Sequence, residues 1–413
     1  MRILIIGAGG VGSAAARILR RRDFFEAVVI ADYDPARPQA LVDELGDERF
    51  VAAQVDASSA ESVASLIREH SATHVLNAVD PRFVMPIFDG AFAAGATYLD
   101  MAMSLSQRHP ERPYEKVGVK LGDAQFAKEQ EWTDAGRLAL VGIGVEPGLS
   151  DVFARYAEDE LFDEIDELGV RDGANLVVAG YDFAPSFSIW TTIEECLNPP
   201  VIYEEEGLVR HRAVQRAGGV RLPRGIGPVE CVNVEHEEVL LMPRWTKAKR
   251  VTFKYGLGDE FIEVLRVLNK LGLDKTDPLT VKGVQVSPRD VVAAALPDPA
   301  TIGDRMSGKT CAGVWVTGTG KDGQPRSTYL YHVADNEQTM REDNSQAVVW
   351  QTAINPVIAL ELLARGTWSG TGVLGPEAFD AKPFLDLLAA PKPEGYGSPW
   401  GMREQPHPVP SEA

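Results

Sequence analysis

The sequence predicts an α/β protein in which a doubly wound parallel sheet is followed by a second, α+β domain. An apolar strand at the start of the chain turns into a helix at three glycines, and strand and helix patterns then alternate as far as Asp100. Beyond residue 151, longer strands separated by turns replace that alternation. With 413 residues, the chain is long enough for about two domains, each with its own core.

The first strand is an unbroken apolar run, which is typical of a parallel strand covered on both faces. It leads into Gly7, Gly9 and Gly12, at the spacing of a dinucleotide-binding turn. The first glycine permits a tight turn, the second lets the backbone approach a pyrophosphate, and the third lets the helix pack on its strand. We expect the helix N-terminus, including Gly10 and Val11, to hold the phosphates.

The second strand ends in Asp32, roughly 20 residues past the last glycine, where a ribose-binding carboxylate belongs. We assign Asp32 and the adjacent Tyr33 to the cofactor. The third strand ends in Asp56, which together with Ala57 is expected to meet the adenine. Capping of the following helix is an equally good interpretation of Asp56, and both roles are compatible.

Two further strands, over residues 73–78 and 97–100, complete the alternation. Right-handed crossovers bring the carboxyl ends of parallel strands to one edge of the sheet. We therefore expect four residues to face one crevice beside the nicotinamide half of the cofactor. They are Asn77, Ala78, Asp80 and Asp100. The polar stretch 103–122 is predicted to be a loop that covers the cofactor.

A second helix N-terminus that points out of the sheet edge is predicted after a strand over residues 138–143. Ser150 has the character of an N-cap for a helix that reaches Glu160. Such a helix terminus is suited to a substrate carboxylate, so Gly148 and Ser150 are assigned to the substrate.

The second domain is predicted over residues 151–339, with a helix at 260–271. A long apolar helix at 345–364, which Pro356 should kink, is expected to return to the first domain. The predicted organisation is a dinucleotide-binding domain at 1–150 completed by residues 340–390, and a peripheral tail at 391–413.

The composition excludes several classes of partner. The net charge of −19 argues against binding to nucleic acid or to an anionic membrane surface. Three widely spaced cysteines indicate neither a disulfide framework nor a zinc site and fit a reducing cytoplasm. The chain enters a core strand at once, and no apolar run approaches the roughly 20 residues of a membrane span, so a cytoplasmic location is expected.

Several motifs together resemble the saccharopine dehydrogenase-like oxidoreductases, a group that includes lysine 6-dehydrogenase, carboxynorspermidine dehydrogenase and homospermidine synthase. The resemblance covers nearly the whole chain and rests on the stretches GAGGVG, LNAVDP, YLDMA and GIGVEPGLSDVFA. Later stretches resemble the carboxynorspermidine dehydrogenase branch most, and they are VEHEEVLLMP, FIEVLRVLNKLGL, LPDPATIGDRMSGKTCAGVWVTG and SQAVVWQTAINP.

The resemblance implies a Rossmann-type dinucleotide-binding domain and a middle domain that binds substrate and builds a homodimer. It also implies hydride transfer between a nicotinamide and a carbon–nitrogen bond of a small zwitterionic amine or amino acid. The charge of Asp32 would repel the 2′-phosphate of NADP, so NAD is the predicted cofactor, with NADP kept as the alternative by Arg37. Glu146 stands where the family commonly has Asp.

Chemistry at a carbon–nitrogen bond needs a group that transfers a proton beside the nicotinamide. Asp100 is one candidate, with a structural hydrogen-bonding role as the alternative. Glu146, before a helix N-terminus, is another and would also hold a cationic nitrogen. Trp190 resembles the family's tryptophan in the substrate domain and could stabilise an iminium ion by roughly 0.5–2 kcal/mol, although packing is the commoner fate of a tryptophan. Glu194 would add charge to the same pocket.

His236 is a further candidate for substrate contact or proton transfer, with a plain surface histidine as the alternative. No metal is predicted, because acids adjacent to it on a strand would alternate faces and could not converge as ligands. Arg305 and Lys309 could bind a substrate carboxylate or remain solvated.

The predicted function is therefore that of an NAD(P)-dependent oxidoreductase acting on the carbon–nitrogen bond of an amino-acid-like amine or imine, of the saccharopine or carboxynorspermidine dehydrogenase type. Three alternatives remain: oxidative deamination of the lysine 6-dehydrogenase type, homospermidine-synthase-like chemistry with NAD as a prosthetic group, and a non-catalytic nucleotide sensor.

Overall fold

The computed structural model describes residues 1–205, 207–210 and 216–404. Its first part alternates strands and helices, as the sequence predicts. The elements are β1 (Arg2–Ile6), α1 (Gly10–Leu19), β2 (Ala27–Asp32), α2 (Ala36–Leu45), β3 (Phe50–Gln54), α3 (Ala60–His70), β4 (His74–Asn77), α4 (Val84–Ala94), β5 (Thr97–Asp100), α5 (Asp123–Phe126), α6 (Glu129–Asp134), β6 (Leu138–Leu140) and α7 (Leu149–Tyr156).

The middle part is dominated by long strands. Its elements are β7 (Phe162–Ala174), β8 (Val177–Val178), α8 (Ile189–Leu197), β9 (Val201–Glu204), β10 (Gly207–Arg210), β11 (Arg216–Leu222), β12 (Gly227–Asn233), α9 (Glu238–Trp245), β13 (Arg250–Gly256), α10 (Asp259–Leu271), β14 (Leu279–Val281), β15 (Val284–Val286), α11 (Pro288–Ala295), β16 (Met306–Ser307), β17 (Lys309–Gly320) and β18 (Pro325–Asp335).

The last part returns to both of the preceding ones. Its elements are α12 (Asn336–Asp343), α13 (Ala347–Ala364), β19 (Gly372–Leu374), α14 (Ala381–Ala389) and β20 (Gly401–Glu404). Helix α13 contains Pro356 and packs against α1, as expected for a segment that rejoins the first domain. By length and composition α13 could cross a bilayer, yet 83% of it is buried inside the fold, as in the core helix of a globular protein.

Seven strands form a parallel sheet in the order β19-β6-β5-β4-β1-β2-β3. Alternate residues of β1 enter two separate cores, because Ile3 and Ile5 pack with α1 and α13 whereas Leu4 and Ile6 pack with α3 and α4. The strand order reverses between β4 and β1, and the ligand crevice of a doubly wound sheet lies at that reversal. The predicted fold class is thereby confirmed.

A nine-stranded mixed sheet forms the second domain in the order β10-β9-β13-β7-β17-β18-β20, with β11 and β12 attached through β13. Among its described strand pairs only β7 and β13 run parallel, and the long hairpin of β17 and β18 turns at residues 320–323. This antiparallel character confirms the predicted α+β domain.

One local prediction is wrong. The tail predicted to be peripheral is not so over 391–404, because buried Tyr396 donates to Glu361 and β20 pairs with β18. The stretch 103–122 is a loop, as predicted, and it contacts the second domain where Ser106 donates to Glu235. That this loop covers the cofactor stays a prediction. The rest of the tail, 405–413, falls outside the described residues.

Candidate functional site

Two cavities meet between the two sheets. The smaller, of about 270 Å³, lies at the carboxyl ends of β4 and β5 and is also lined by Gly10 and Val11 of α1. The larger, of about 460 Å³, lies on the second sheet and is lined by residues from β7, β13 and β17. Three residues line both cavities, and they are Glu146, Phe187 and Glu195. We call the smaller space the cofactor cavity and the larger one the substrate cavity.

The glycine-rich turn fits a dinucleotide. A Cβ at Gly7 would lie 2.6 Å from the carbonyl oxygen of Ala78, and one at Gly12 would lie 1.9 Å from that of Gly7, so both positions exclude any side chain. A Cβ at Gly9 would meet no atom within 4 Å, which leaves open space beside the start of α1. No side chain caps that helix, so its N-terminus is free to receive a pyrophosphate.

The carboxyl ends of β4 and β5 bring the predicted crevice residues together. Asn77, Ala78, Asp80 and Asp100 all line the cofactor cavity. Asp100 is 1% exposed and accepts hydrogen bonds from Tyr98, Gln125 and the amide of Gly142. Burial raises the pKa of Asp100 to about 7 in spite of these donors. Three donors on one buried carboxyl are the pattern of a structural group.

The second strand places Asp32 where the sequence predicts it, but its oxygens are already engaged. Its Oδ2 accepts the amide of Ala8 at 2.9 Å and its Oδ1 that of Asp34 at 3.1 Å, so the carboxylate holds the glycine-rich turn. Tyr33 is 71% exposed beside it, with the guanidinium of Arg37 5.8 Å from its ring centre.

The end of the third strand shows a different capping pattern from the predicted one. Exposed Asp56 accepts from the amide and hydroxyl of Ser58, and the neighbouring Ala57 is half-buried. Ser59 is the residue that caps α3. The interpretation of Asp56 as the N-cap is therefore wrong, and its contact with the adenine stays a prediction.

The N-terminus of α7 donates hydrogen bonds to carboxyl groups of the chain itself. Ser150 is fully buried and donates to Oε1 of Glu146 at 2.9 Å, and Gly148 donates its amide to Asp151. Neither Ser150 nor Gly148 lines either of the two cavities: Ser150 supports Glu146, and Gly148 supports Asp151. Burial, with repulsion from Asp172, raises the pKa of Glu146 well above its usual value.

His236 lies in the substrate cavity, stacked on Phe253 with ring centres 3.9 Å apart. It is 4% exposed, so the alternative of a surface histidine is wrong. Although burial opposes protonation, hydrogen bonding and attraction to Glu238, helped by Glu237 and Glu195, raise the pKa of His236 to about 10. The imidazole is therefore a cation at neutral pH.

The strand predicted around His236, on which neighbouring acids would point to opposite faces, is wrong. The segment is not a strand, because β12 ends at Asn233 and α9 begins at Glu238. The ligand atoms of His236, Glu237 and Glu238 consequently lie within 4.8 Å of one another. Nδ1 of the histidine is hydrogen-bonded to Glu238. That the protein holds no metal stays a prediction.

Helix α8 turns a different face to the cavities from the one the sequence suggested. Trp190 and Glu194 line neither cavity. The guanidinium groups of Arg82 and Arg289 lie 4.7 and 4.6 Å from the indole ring centre, and Glu194 forms an ion pair with Arg289. The surface predicted to receive an iminium ion thus already receives two cations of the chain. Glu195, the next residue, instead lines the place where the two cavities meet, which we call the junction.

The two predicted carboxylate-binding cations are not at the site. Arg305 is exposed and lines neither cavity, and Nζ of Lys309 lies 3.5 Å from Asp335. Arg305 directly precedes β16, which pairs with β8 in a separate two-stranded sheet, and Lys309 is the first residue of β17.

Sequence reasoning missed five of the six carboxyls that line the substrate cavity, among them Asp172 and Glu195. Burial raises the pKa of Asp172 to about 6 and that of Glu195 to about 8. For Glu195 a signal existed, because it shares a helical face with Thr191 and Thr192 rather than with Trp190. The sequence did not tell which of the two faces points inward.

Comparison with known proteins assigns the fold. The model of the saccharopine dehydrogenase NADP binding domain matches residues 3–140, and that of the saccharopine dehydrogenase C-terminal domain matches residues 144–391. The solved structure of saccharopine dehydrogenase (L-Glu forming) from Saccharomyces cerevisiae is similar over 98% of this chain and 100% of that one, with a TM-score of 0.69 and 14% identity.

Two curated relatives align over almost the whole chain. Carboxynorspermidine synthase from Vibrio alginolyticus is 30% identical over 98% of this chain and 97% of its own length. Carboxyaminopropylagmatine dehydrogenase from Synechocystis sp. is 29% identical over 97% of this chain and 96% of its own length. The chain therefore belongs to the saccharopine dehydrogenase family, and it is an NAD(P)-dependent oxidoreductase that acts on carbon–nitrogen bonds.

Proposed function

We propose that this chain reduces the carbon–nitrogen double bond formed between a cationic amine and an amino-acid-like aldehyde, and so produces a secondary amine. The acidic lining of the substrate cavity carries the proposal, because a carboxyl that is neutral in the empty cavity ionises beside a bound ammonium group. Six carboxyl side chains line it, namely Glu146, Asp172, Asp182, Glu195, Asp259 and Glu260. Among the described residues that line it there is no lysine or arginine.

An acidic cavity attracts polyamines and repels polycarboxylates. A saccharopine-type substrate carries several carboxylates, whereas the described lining of this cavity offers one cation, the imidazolium of His236, which is already hydrogen-bonded to Glu238. A diamine or a guanidino-amine carries a positive charge at each end, and both ends can therefore lie against carboxyls of the substrate cavity. The names of the relatives, which refer to norspermidine and agmatine derivatives, point the same way.

The residues suited to hold the cofactor are those of the cofactor cavity and the glycine-rich turn. The start of α1 with Gly9 would receive the pyrophosphate, and Asn77 and Asp80 would lie beside the nicotinamide. NAD(P)H, when bound, supplies the hydride. Glu146 and Glu195 line both cavities, so the reacting carbon–nitrogen bond would lie between them.

The carboxyls at the junction can move the protons that the reaction needs. Because its pKa is about 8, Glu195 is largely protonated at neutral pH and can protonate the hydroxyl that leaves as water when the double bond forms. The resulting carboxylate would then face the positive charge of the iminium ion. The cation of His236 is balanced by Glu238 and leaves the negative character of the cavity intact.

The test is a panel assay that follows oxidation of NADPH or NADH. Aspartate semialdehyde would be offered with 1,3-diaminopropane, putrescine or agmatine, and lysine and saccharopine would be offered with the oxidised cofactors. The proposal predicts turnover of at least one amine with the aldehyde. Turnover of saccharopine or lysine alone would overturn it, and binding of cofactor without any turnover would favour the nucleotide sensor.

We also propose that the protein works in the cytosol as a homodimer, without nucleic acid or membrane partners. The three cysteines are free and buried, which suits a reducing compartment. Val209 on β10 and Met402 on β20, the strands at the two ends of the nine-stranded sheet, are exposed apolar side chains available to a second subunit. Analytical ultracentrifugation of the purified chain tests the dimer.

A further inference from the structure

One stretch of the second domain covers both cavities. Residues 257–305, which we call the covering segment, leave the sheet after β13 and return to it before β17. Leu257 and Phe261 near its start line the substrate cavity, and the turn Asp298–Ala300 near its end lines the cofactor cavity. At Gly10 a Cβ would lie 3.5 Å from that of Ala300, so the turn lies directly over the start of α1.

The covering segment is weakly packed over most of its length. Between Gly272 and Thr301 only three residues are buried, and they are Asp274, Pro288 and Arg289. The hairpin of β14 and β15 forms a two-stranded sheet of its own, with Leu279, Val281 and Val284 more than half exposed. A stretch with so few buried contacts opens at low free-energy cost unless something fixes it.

Arg289 is what fixes it. Its guanidinium donates to the carbonyl of Asp274, forms an ion pair with Glu194 and lies 4.6 Å from the ring centre of Trp190. The guanidinium of Arg82, from the first domain, lies 4.7 Å from the same ring centre. Arg82 is itself held by Asp80, a residue of the cofactor cavity. Trp190 thus contacts both domains and the covering segment.

We propose that Arg82, Trp190 and Arg289 form a latch that holds the covering segment over the cofactor cavity, so that the dinucleotide leaves at the rate at which this latch opens. The proposal rests on the cofactor site proposed above. It gives Trp190 a positioning role in place of contact with the substrate. It also explains why Glu194, beside Glu195, points away from both cavities.

The direct measurement is the dissociation rate of NADPH or NADH, followed by nucleotide fluorescence after rapid mixing with an excess of competitor. We expect Arg289→Ala and Trp190→Ala each to raise that rate about tenfold, because each removes a desolvated cation–π contact. The double variant should exceed either single variant by less than the product of the two single effects, since the contact between Arg289 and Trp190 is lost in both. Val291→Ala, on the exposed face of the same helix, is the matched control and should stay within about twofold of the unmodified protein.

Limited trypsin digestion gives a second readout that needs no cofactor. Lys275 and Lys282 lie in the exposed part of the covering segment, and cleavage there should be faster in Arg289→Ala than in Val291→Ala. Circular dichroism is used to check that each variant is folded. If Arg289→Ala does not fold, Arg289→Lys replaces it, and if Trp190→Ala does not fold, Trp190→Phe replaces it.

The outcomes separate the latch from the cofactor site. If the unmodified protein binds neither NADPH nor NADH in an equilibrium titration, the site assignment fails and the latch fails with it. If binding is normal but folded Arg289 and Trp190 variants release nucleotide at the unmodified rate, the latch alone is overturned.

Discussion

The Nε2 atom of His236 lies 3.9 Å from Oε1 of Glu195 where the two cavities meet. The histidine cation favours the ionised carboxylate, yet burial and the neighbouring carboxyls Glu237, Glu238 and Asp172 act against it. Burial is the largest of these effects and raises the pKa of Glu195 to about 8. The site therefore holds a protonated carboxyl next to a protonated imidazole at neutral pH.

Replacement of Glu195 by Gln should lower the reductive rate about 100-fold, because the amide cannot transfer a proton. In the unmodified protein the rate should fall as pH rises through about 8, where Glu195 loses its proton. Initial rates across this range measure both effects. Glu194→Gln is the adjacent control: it should keep the decline near pH 8, since Glu194 faces neither cavity. A decline that persists in Glu195→Gln would assign the titration to another group.

Thermal stability should fall as pH rises from about 6.5 to about 10. The pKa of His236 is raised from 6.5 to about 10 in the folded protein, so its stabilisation is complete below 6.5 and is lost as pH rises through 10. His236→Gln should flatten this part of the curve of Tm against pH. His74→Gln should leave the slope unchanged, because burial lowers the pKa of His74 to about 4 and keeps it neutral. Parallel curves for the unmodified protein and His236→Gln would contradict the assignment.

Two alanine substitutions in the glycine-rich turn should separate folding from cofactor binding. Gly9→Ala places a methyl group in open space, so the protein should fold normally but bind dinucleotide at least about tenfold more weakly, because the methyl group occupies the expected pyrophosphate site. Gly12→Ala forces a Cβ to 1.9 Å from the carbonyl oxygen of Gly7 and should lower Tm or prevent folding. Isothermal titration calorimetry and thermal unfolding measure the two effects. Unchanged dinucleotide affinity in Gly9→Ala would place the phosphates elsewhere.

Cofactor choice should depend on Asp32. Its charge is expected to repel a 2′-phosphate, so Asp32→Ser should improve binding of NADP relative to NAD by about tenfold. Loss of the bond to the amide of Ala8 should also loosen the turn and lower Tm somewhat. Titrations with both nucleotides measure the ratio. Tighter binding of NADP than of NAD by the unmodified protein would show that Arg37 and Tyr33 outweigh the carboxylate.

Much of the first domain could be predicted because its signals are local. A strand, three glycines and a helix lie within about twenty residues of one another, and the strands β2 to β5 each end in a polar residue at the same sheet edge. Asn77, Asp80 and Asp100 accordingly line one cavity, as the sequence predicts. The catalytic role of Asp100 stays a prediction. Its three hydrogen-bond donors come from β5, α5 and the chain after β6, segments that only the folded domain brings together.

The substrate side depended on rotations and turns that the sequence leaves open. Glu194 and Glu195 are neighbours with the same chemistry, and burial of Ile189 and Ile193 in the core is what turns Glu195 towards the cavities. Likewise, Nδ1 of His236 lies 3.3 Å from Glu237 and 2.5 Å from Glu238 only because the chain leaves β12 and turns into α9 there. A strand in the same place would have put Glu237 on the face opposite His236.

By itself the sequence determined that a doubly wound parallel sheet is followed by an α+β domain, because this follows from the periodicity of apolar residues. Glycine spacing determined the position of the dinucleotide turn, and motifs that are contiguous in the chain determined the family. The tertiary structure alone decided which carboxyls share the junction, that the expected carboxylate-binding cations Arg305 and Lys309 lie elsewhere, and that Trp190 contacts two arginines of the chain. The physical reason is that these groups come from elements far apart in sequence. Their approach is set by the packing of two sheets and α8, which no local pattern encodes.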